Sequence, residues 1–255
     1  MQNQQNQQNK WGRNQGDNLT HQASQTSQMK QTNQISQTHK TSQMEIPMPS
    51  QKELESYLKA FKTDSKMERY REQESALNKL FKVYPQNNNL SEVFIKVFAL
   101  NTFYSTKIFN VFAVAEHIIG VKNVDERLQK GDENLVGEIA KSGLKNKKGK
   151  EIIFYSFAIK FCFFHNSEKY AIYDSYVAKV LVYFQRKDKF RKQTFYQNDL
   201  RDYGKFMRIL EDFKNYKRYK LKCDLKSLDL YLWQLGKDKK YEDLWANKSL
   251  AKQPK

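Results

Sequence analysis

Residues 156–181, SFAIKFCFFHNSEKYAIYDSYVAKVL, contain two apolar segments that meet at a single carboxylate, Asp174. The first segment is rich in aromatic and β-branched residues, which also suit a buried strand, and Lys160 is the one charge inside it. After Asp174, apolar residues recur with the 3.6-residue period of a helix, at Val177, Val180, Leu181 and Phe184. Because the neighbouring segments are helical, we predict a buried central helix and a second helix that begins at Asp174.

The rest of the body shows the same helical period. Nine glycines and four prolines are too few for a turn-rich β architecture, and Ser50 with Glu53 forms a capping box. Apolar stripes then predict helices over 54–61, 67–81 and 91–98, from Ser105 onward, around Leu135 and Ile139, over 200–213 and over 228–235. No internal repeat is visible. The sequence predicts an all-α, compact helical domain over 49–246, followed by a flexible C-terminus over 247–255.

The first 48 residues have a different composition, dominated by Gln, Asn, Ser and Thr. Such a segment cannot bury enough apolar surface to offset its ordering entropy, so we predict a disordered tail that serves as a tether or a solubilising arm. It lacks the apolar stretch of a secretory signal, and no segment of the chain is long and apolar enough to predict a membrane span. Two separated cysteines in apolar contexts indicate free buried thiols and a reducing compartment.

The body carries nearly all of the net charge, because the first fifty residues contribute only +2 of +17. A pI near 9.6 favours a polyanionic partner, most simply nucleic acid, over a membrane surface or a basic surface kept for solubility. Three basic runs, at residues 141–150, 186–192 and 214–222, are candidate phosphate contacts. Tyr216 and Tyr219 in the last run could stack on bases. The alternative is that these runs are solvated helix ends. The candidate residues are Lys145, Lys147, Lys148, Lys150, Arg186, Lys187, Arg191, Lys192, Lys217 and Arg218.

Asp174 itself allows two interpretations. Its position before a helical stripe is that of an N-cap, whose side chain accepts backbone N–H bonds at the positive end of the helix dipole, and capping alone accounts for an aspartate there. The same setting stabilises the anionic form, so we expect an ionised carboxylate. An anion fixed at the rim of a cleft can support the oxocarbenium-like charge that develops when an N-glycosidic bond breaks.

Residues 156–181 resemble the catalytic stretch of the helix-hairpin-helix DNA glycosylase superfamily, in which a hairpin leads into a buried helix and an apolar-Asp pair begins the next one. YDSYVAKVL, residues 173–181, matches that pattern, and the resemblance implies that Asp174 is the catalytic aspartate. SEVFIKVFALNTFYSTKIFNVFAVAEHI, residues 91–118, is similar to the early helical pair of the family. The resemblance therefore implies a base pocket, for which the candidates are Asn101, Thr102, Tyr104, His165 and Tyr173.

The chain departs from the family pattern at the hairpin, where SGLKNKKGK replaces a Leu-Pro-Gly-Val-Gly-like turn. Family members that also cut the strand have a lysine nucleophile at the start of the following helix. Ser156 or a near neighbour occupies that place here, and Lys160 lies one helical turn later on the same face. The resemblance thus favours a glycosylase without strand cleavage, with Ser156 and Lys160 as secondary catalytic candidates.

These observations predict an enzyme that flips a modified or damaged base out of double-stranded DNA and hydrolyses its N-glycosidic bond, in repair or in defence against foreign DNA. No metal-ligand spacing or Gly-rich phosphate loop is present, so neither a metal nor another cofactor is predicted. We expect a cytoplasmic, nucleoid-associated protein, or a nuclear one in a eukaryote. Two alternatives are a non-catalytic nucleic-acid-binding protein on the same scaffold and an interaction subunit that recruits partners through its tail.

Overall fold

The computed structural model describes residues 45–246, and within that range the chain is helical and forms a compact domain, as predicted. The range contains no β-strand; a lone bridge joins Lys145 and Glu151. The α-helices, in chain order, are α1 Gln51–Thr63, α2 Glu68–Val83, α3 Leu90–Tyr104, α4 Val111–Gly120, α5 Val124–Lys130, α6 Glu133–Ala140, α7 Tyr155–His165, α8 Ser175–Asp188, α9 Tyr203–Asn215, α10 Leu225–Lys237 and α11 Glu242–Ala246. Short 3-10 helices span Ser65–Met67, Asp199–Arg201 and Lys239–Tyr241.

Helix α7 is the centre of the domain. Every residue from Phe157 to Phe164 is buried, and the helix packs against α2, α3, α5 and α6. A helix that is apolar on all sides can bury its apolar surface only in the interior of a domain. Phe161 shows this packing, because its ring lies 5.7 Å from the Phe81 ring of α2. The predicted central buried helix is therefore confirmed, although residues 151–154 of the same apolar run precede it outside the helix.

Helices α8 and α10 form a tight second layer, and α10 also packs on α1. A Cβ atom built at Gly236 would lie 2.7 Å from the Tyr176 carbonyl oxygen, so only glycine permits this approach of the two helices. On the other side of α10, the Tyr231 hydroxyl donates to Glu53 Oε2 at 3.0 Å. Helix α10 is thereby held between α1 and α8.

The connection between α7 and α8 recurs between α9 and α10, fifty residues later. In both, the residue after the helix accepts two backbone N–H bonds in a tight turn, and an aspartate eight residues further on caps the next helix. The accepting carbonyls belong to Asn166 and Tyr216, and the caps are Asp174 and Asp224. This structural repeat was not visible in the sequence, because the two segments share a backbone path and few side chains.

Several predicted boundaries are wrong. The helix expected from Ser105 begins at Val111, since the segment before it is a turn in which Ser105 and Lys107 have positive φ. The short helix predicted around Leu135 and Ile139 is α6, but a second short helix, α5, was missed ahead of it, and Gly131 with φ 75° separates the two. Leu200 lies in a 3-10 turn ahead of α9.

The N-terminal boundary also differs from the predicted one. Residues 45–48 were assigned to the tail, yet Ile46 is fully buried and its backbone N–H donates to the Tyr183 hydroxyl at 3.2 Å. Ile46 is an aliphatic residue at the edge of a polar segment, and burial of its side chain places it in the domain rather than in the tail. Most of the predicted tail, and the C-terminus over 247–255, lie outside the described residues.

Candidate functional site

A cavity of about 350 Å³ opens between α2, α3, α7, α8 and α10, and we call it the Asp174 cavity. Its volume falls within the range of roughly 300–1,000 Å³ typical of ligand pockets. Aromatic rings supply much of its wall, and three carboxylates and three amines supply its charge. The lining residues are Phe61, Tyr70, Gln73, Glu74, Phe103, Tyr104, Ser156, Lys160, Phe163, Phe164, Ile172, Asp174, Ser175, Tyr176, Lys226, Asp229, Leu230, Trp233 and Lys237.

Asp174 caps α8 from within this cavity. Its Oδ1 accepts the backbone N–H groups of Tyr176 at 2.8 Å and Val177 at 2.9 Å, which fixes the carboxylate at the positive end of the helix. The predicted cap is therefore confirmed. The second oxygen, Oδ2, takes no part in these cap bonds. The cap thus orients the carboxylate and leaves one of its oxygens for another partner.

The helix terminus lowers the pKa of the Asp174 carboxyl, as expected, but it does not determine the direction of the net shift. Burial raises the pKa of the Asp174 carboxyl, while the two backbone N–H bonds and the charges of Lys160 and Lys237 only partly offset that rise. Desolvation of the charged form therefore outweighs the cap. The raised pKa makes the Asp174 carboxylate a stronger proton acceptor.

Lys160 extends from the middle of α7 into the same cavity and is 6% exposed. Its Nζ donates to Ser156 Oγ at 2.6 Å, one helical turn back, and lies 5.0 Å from the centre of the Tyr104 ring. Burial lowers the pKa of the Lys160 amine, and the charges of Asp174 and Asp229 oppose that shift. The structure thus brings the amine of Lys160, the hydroxyl of Ser156 and the carboxylate of Asp174, the three predicted catalytic candidates, around one cavity.

Asp229 is a functional candidate that sequence reasoning missed. It is 9% exposed, lines the cavity from α10, and its Oδ1 has no hydrogen-bond partner. Burial raises the pKa of Asp229 well above its ordinary value, and the negative charge of Asp174 adds to the effect. The available signal was a lone carboxylate between Leu228 and Leu230 on an otherwise apolar helical segment. Buried carboxylates without a partner are costly, so this one is a candidate for ligand binding.

The rim of the cavity near α10 is an aromatic cage around Lys237. The Nζ of Lys237 donates to the Tyr70 hydroxyl at 2.6 Å and lies 4.1 Å from the centre of the Tyr70 ring and 4.4 Å from that of Trp233. Opposite, Glu74 forms an ion pair with Lys226. These contacts hold the indole of Trp233 beside the cavity, where it offers a flat surface for stacking.

Of the predicted base-pocket residues, the structure brings only Tyr104 into the Asp174 cavity. Asn101 instead braces the turn before α4, donating to the Ile108 carbonyl at 3.0 Å. Thr102 is exposed and lies outside the lining. Tyr173 points the other way and packs on Phe206 at 5.5 Å between ring centres. These three assignments follow the family pattern in sequence position, but the side chains face elsewhere.

His165, the remaining pocket candidate, is packed behind the cavity. Its ring centre lies 4.8 Å from those of Phe81 and Phe161, and its Nε2 has no hydrogen-bond partner. Burial and the nearby Lys96 ammonium lower the pKa of His165 to about 3. The imidazole is therefore neutral at physiological pH and serves packing rather than the binding of a base or a phosphate.

The predicted phosphate contacts divide into two groups. Lys187 pairs with Glu45 at 3.0 Å and Arg191 pairs with Asp212 at 3.2 Å, so carboxylates of the same chain engage both cations. Arg186 also has an interaction within the chain. The exposed members are the hairpin lysines Lys145, Lys147, Lys148 and Lys150, together with Lys192, Lys217 and Arg218. Base stacking on Tyr219 is ruled out, since it is 1% exposed and donates to Asp188.

Within residues 45–246, no group of three or more His, Cys, Asp or Glu side chains is arranged to hold a metal ion. Over the same residues, no helix has the length and apolarity needed to cross a bilayer.

Comparison with known proteins yields two similarities and no activity. A family model described as "HI_0787_N: N-terminal domain" matches residues 53–169, a segment that includes Lys160 and ends before Asp174. A Haemophilus influenzae protein described as "Uncharacterized protein" is 47% identical over 138 residues, which cover 54% of this chain and 63% of the relative. The chain thus spans less than two thirds of the length of that relative. No solved structure matches the chain.

Proposed function

We propose that this chain is a DNA glycosylase that binds an extruded, modified base in the Asp174 cavity and hydrolyses its N-glycosidic bond. The observation that carries the proposal is the position of the Asp174 carboxylate, held by two backbone N–H groups at 2.8 and 2.9 Å inside a ligand-sized, aromatic cavity. The basic composition of the chain supports a DNA partner, and double-stranded DNA is the form that base extrusion implies.

The walls of the cavity suit a flat heteroaromatic ligand. Trp233 and Phe164 offer faces on which a base can stack, and such stacking contributes about 1–3 kcal/mol per base. Asp229 offers a carboxyl oxygen that has no partner within the chain. Hydrogen bonding between that carboxyl and the base edge would satisfy both groups and would discriminate against bases lacking the matching atom. Stacking thus supplies affinity, and Asp229 supplies selectivity.

The hydrolysis needs a proton acceptor and a group that stabilises positive charge on the sugar, and Asp174 can supply both. As the bond between sugar C1′ and the base nitrogen breaks, the bonding electrons leave with the base and the sugar develops oxocarbenium-like charge. The Asp174 carboxylate stabilises that charge and accepts a proton from the attacking water, whose oxygen bonds to C1′. A second proton from solvent or from a cavity acid neutralises the departing base. The products are the free base and an abasic site.

The position of Lys160 favours a second candidate activity, cleavage of the strand after base removal. Its amine shares the cavity with Asp174, and burial lowers its pKa, which increases the neutral fraction that can act as a nucleophile. Attack of Nζ on C1′ would displace the base, which leaves with the bonding electrons and takes up the proton that the amine loses. Cleavage of the C1′–O4′ bond would then open the sugar ring and leave an imine, and removal of a C2′ proton would expel the 3′ phosphate. Sodium borohydride reduces such an imine to a stable secondary amine, so covalent trapping on DNA separates this route from attack by water.

The test is incubation with duplexes that each carry one modified base, followed by mass analysis of released bases and alkali cleavage of abasic sites. The proposal predicts release of at least one base by the wild-type chain and none by Asp174→Asn, with DNA binding retained. Borohydride trapping of the wild type but not of Lys160→Gln would assign the lyase route. If the chain binds DNA and releases no base from any duplex, it is a non-catalytic nucleic-acid-binding protein.

A further inference from the structure

A shallow, open depression lies among side chains of helix α2, next to the Asp174 cavity. We call it the α2 groove. All of its lining residues belong to α2, at spacings of three and four residues that place them along one helix face. They are Arg71, Glu74, Ser75, Asn78, Lys79 and Lys82. None of the three basic runs identified from the sequence contributes to it.

The groove carries excess positive charge. Lys79 and Lys82 are exposed, and neither forms an ion pair with a carboxylate of the described chain. The Arg71 guanidinium is fixed in place by donating to the carbonyl of Phe61 at 2.7 Å. Like charges three residues apart on a helix repel each other and destabilise it. Among the described residues, Arg71, Lys79 and Lys82 form no ion pair, so the groove carries three cations against the single carboxylate of Glu74.

The groove and the Asp174 cavity share a residue. Glu74 lines both, and its carboxylate is already engaged by Lys226, so it does not neutralise the groove cations. On the cavity side of the same helix, Tyr70 and Gln73 form part of the wall. Helix α2 thus presents one flank to the cavity and the adjacent flank to the groove.

The length of the groove matches a short piece of nucleic-acid backbone. Eleven residues separate Arg71 from Lys82, which corresponds to about 16.5 Å along a helix at 1.5 Å per residue. One strand of duplex DNA carries a phosphate about every 3.4 Å along its axis. The groove therefore spans about five nucleotides. Ser75 and Asn78 lie between the cations and can donate the neutral hydrogen bonds that phosphate oxygens also accept.

We infer that the α2 groove binds the phosphodiester backbone of the strand that delivers its base to the Asp174 cavity. The inference rests on the proposed function, and it assigns the anion partner as DNA phosphates adjacent to the extruded nucleotide. Lys79 and Lys82 neutralise two of these phosphates, and Arg71 provides a preoriented third contact. The groove thereby holds the strand at a fixed distance from the cavity mouth, whereas the hairpin lysines and the other exposed basic residues contact more distant phosphates.

The test measures DNA affinity as a function of salt for the double variant Lys79→Gln/Lys82→Gln. Fluorescence anisotropy with a duplex containing a stable abasic analogue would be recorded from about 50 to 200 mM KCl, the range in which phosphate contacts dominate. The matched control is Lys59→Gln/Lys62→Gln, which removes two exposed lysines at the same spacing on α1, outside the groove.

The inference predicts that the slope of log affinity against log salt becomes shallower by about 1.8 in the groove variant, from two contacts at about 0.9 each. The control is expected to keep the wild-type slope. Equal slopes in wild type and groove variant, or equal changes in groove variant and control, would overturn the inference while base release stood unaffected. Absence of DNA binding by the wild type would overturn the proposed function as well.

Discussion

His165 predicts an acid-sensitive stability that can be tested without knowing the substrate. The residue ends α7 with its ring between Phe81 and Phe161, and burial together with the Lys96 ammonium lowers its pKa to about 3. In the unfolded chain a histidine titrates near 6.5. Between those values the unfolded state binds a proton that the folded state does not, so the free energy of unfolding falls as the pH falls.

The size of the loss in the free energy of unfolding follows from the interval between the two pKa values of His165. Each pH unit below the unfolded pKa costs about 1.4 kcal/mol, so acidification from pH 7.0 to 4.5 should remove about 2.7 kcal/mol through His165 alone. Substitution His165→Phe keeps an aromatic ring between the same neighbours and has nothing to titrate. It also removes the unpartnered Nε2, so we expect a change of less than about 1.5 kcal/mol at pH 7.0.

Urea unfolding followed by circular dichroism at pH 7.0 and 4.5 measures the difference for both proteins. The wild type should lose about 2.7 kcal/mol more than His165→Phe between the two conditions. Because carboxylates titrate in both proteins, the comparison cancels their contribution. Equal losses in the two proteins would show that the imidazole is not buried as neutral, and the packing assigned to the end of α7 would be wrong.

Three further predictions concern the walls of the cavity. Gly236→Ala should lower the free energy of unfolding by about 1–3 kcal/mol, because its Cβ would overlap a backbone oxygen of α8; Gly137→Ala, which meets no atom within 4 Å, should stabilise or change little. Asp229→Asn should raise the urea midpoint at pH 7, since burial raises the pKa of this carboxyl and the stability that it contributes at low pH is lost as the pH rises; a lowered midpoint would contradict this. Ser156→Ala should shift the pH profile of borohydride trapping to lower pH, since the Lys160 ammonium loses its 2.6 Å acceptor, and an unchanged profile would remove Ser156 from the site.

The sequence was sufficient for the parts of the fold that depend on local pattern. Helix α7 is apolar on every side, and that composition leaves only the interior for it. Asp174 stands directly before a helical stripe, and its hydrogen bonds to the α8 backbone agree with that spacing. The catalytic role that the resemblance implied for Asp174 remains a proposal.

The remainder of the site depends on contacts between residues far apart in the chain. Asp229 reaches the cavity because α10 approaches α8 at Gly236, and nothing near either residue encodes that approach. Asn101 was expected in the base pocket, but its amide is used by a turn whose positive φ angles the apolar pattern does not reveal. The pKa of Asp174 rises because neighbours from several helices exclude water, a collective effect that a cap motif cannot predict.

The most direct test of the account is base release by wild type and Asp174→Asn under single-turnover conditions with a substrate duplex. Asparagine caps helices as well as aspartate does, so the variant keeps the α8 terminus and the shape of the cavity while it loses the charge and the proton acceptor. The account predicts loss of base release by at least about 100-fold, the lower end of what a positioned acid or base contributes, with DNA affinity unchanged within about threefold. Undiminished release by a folded Asp174→Asn protein would contradict it.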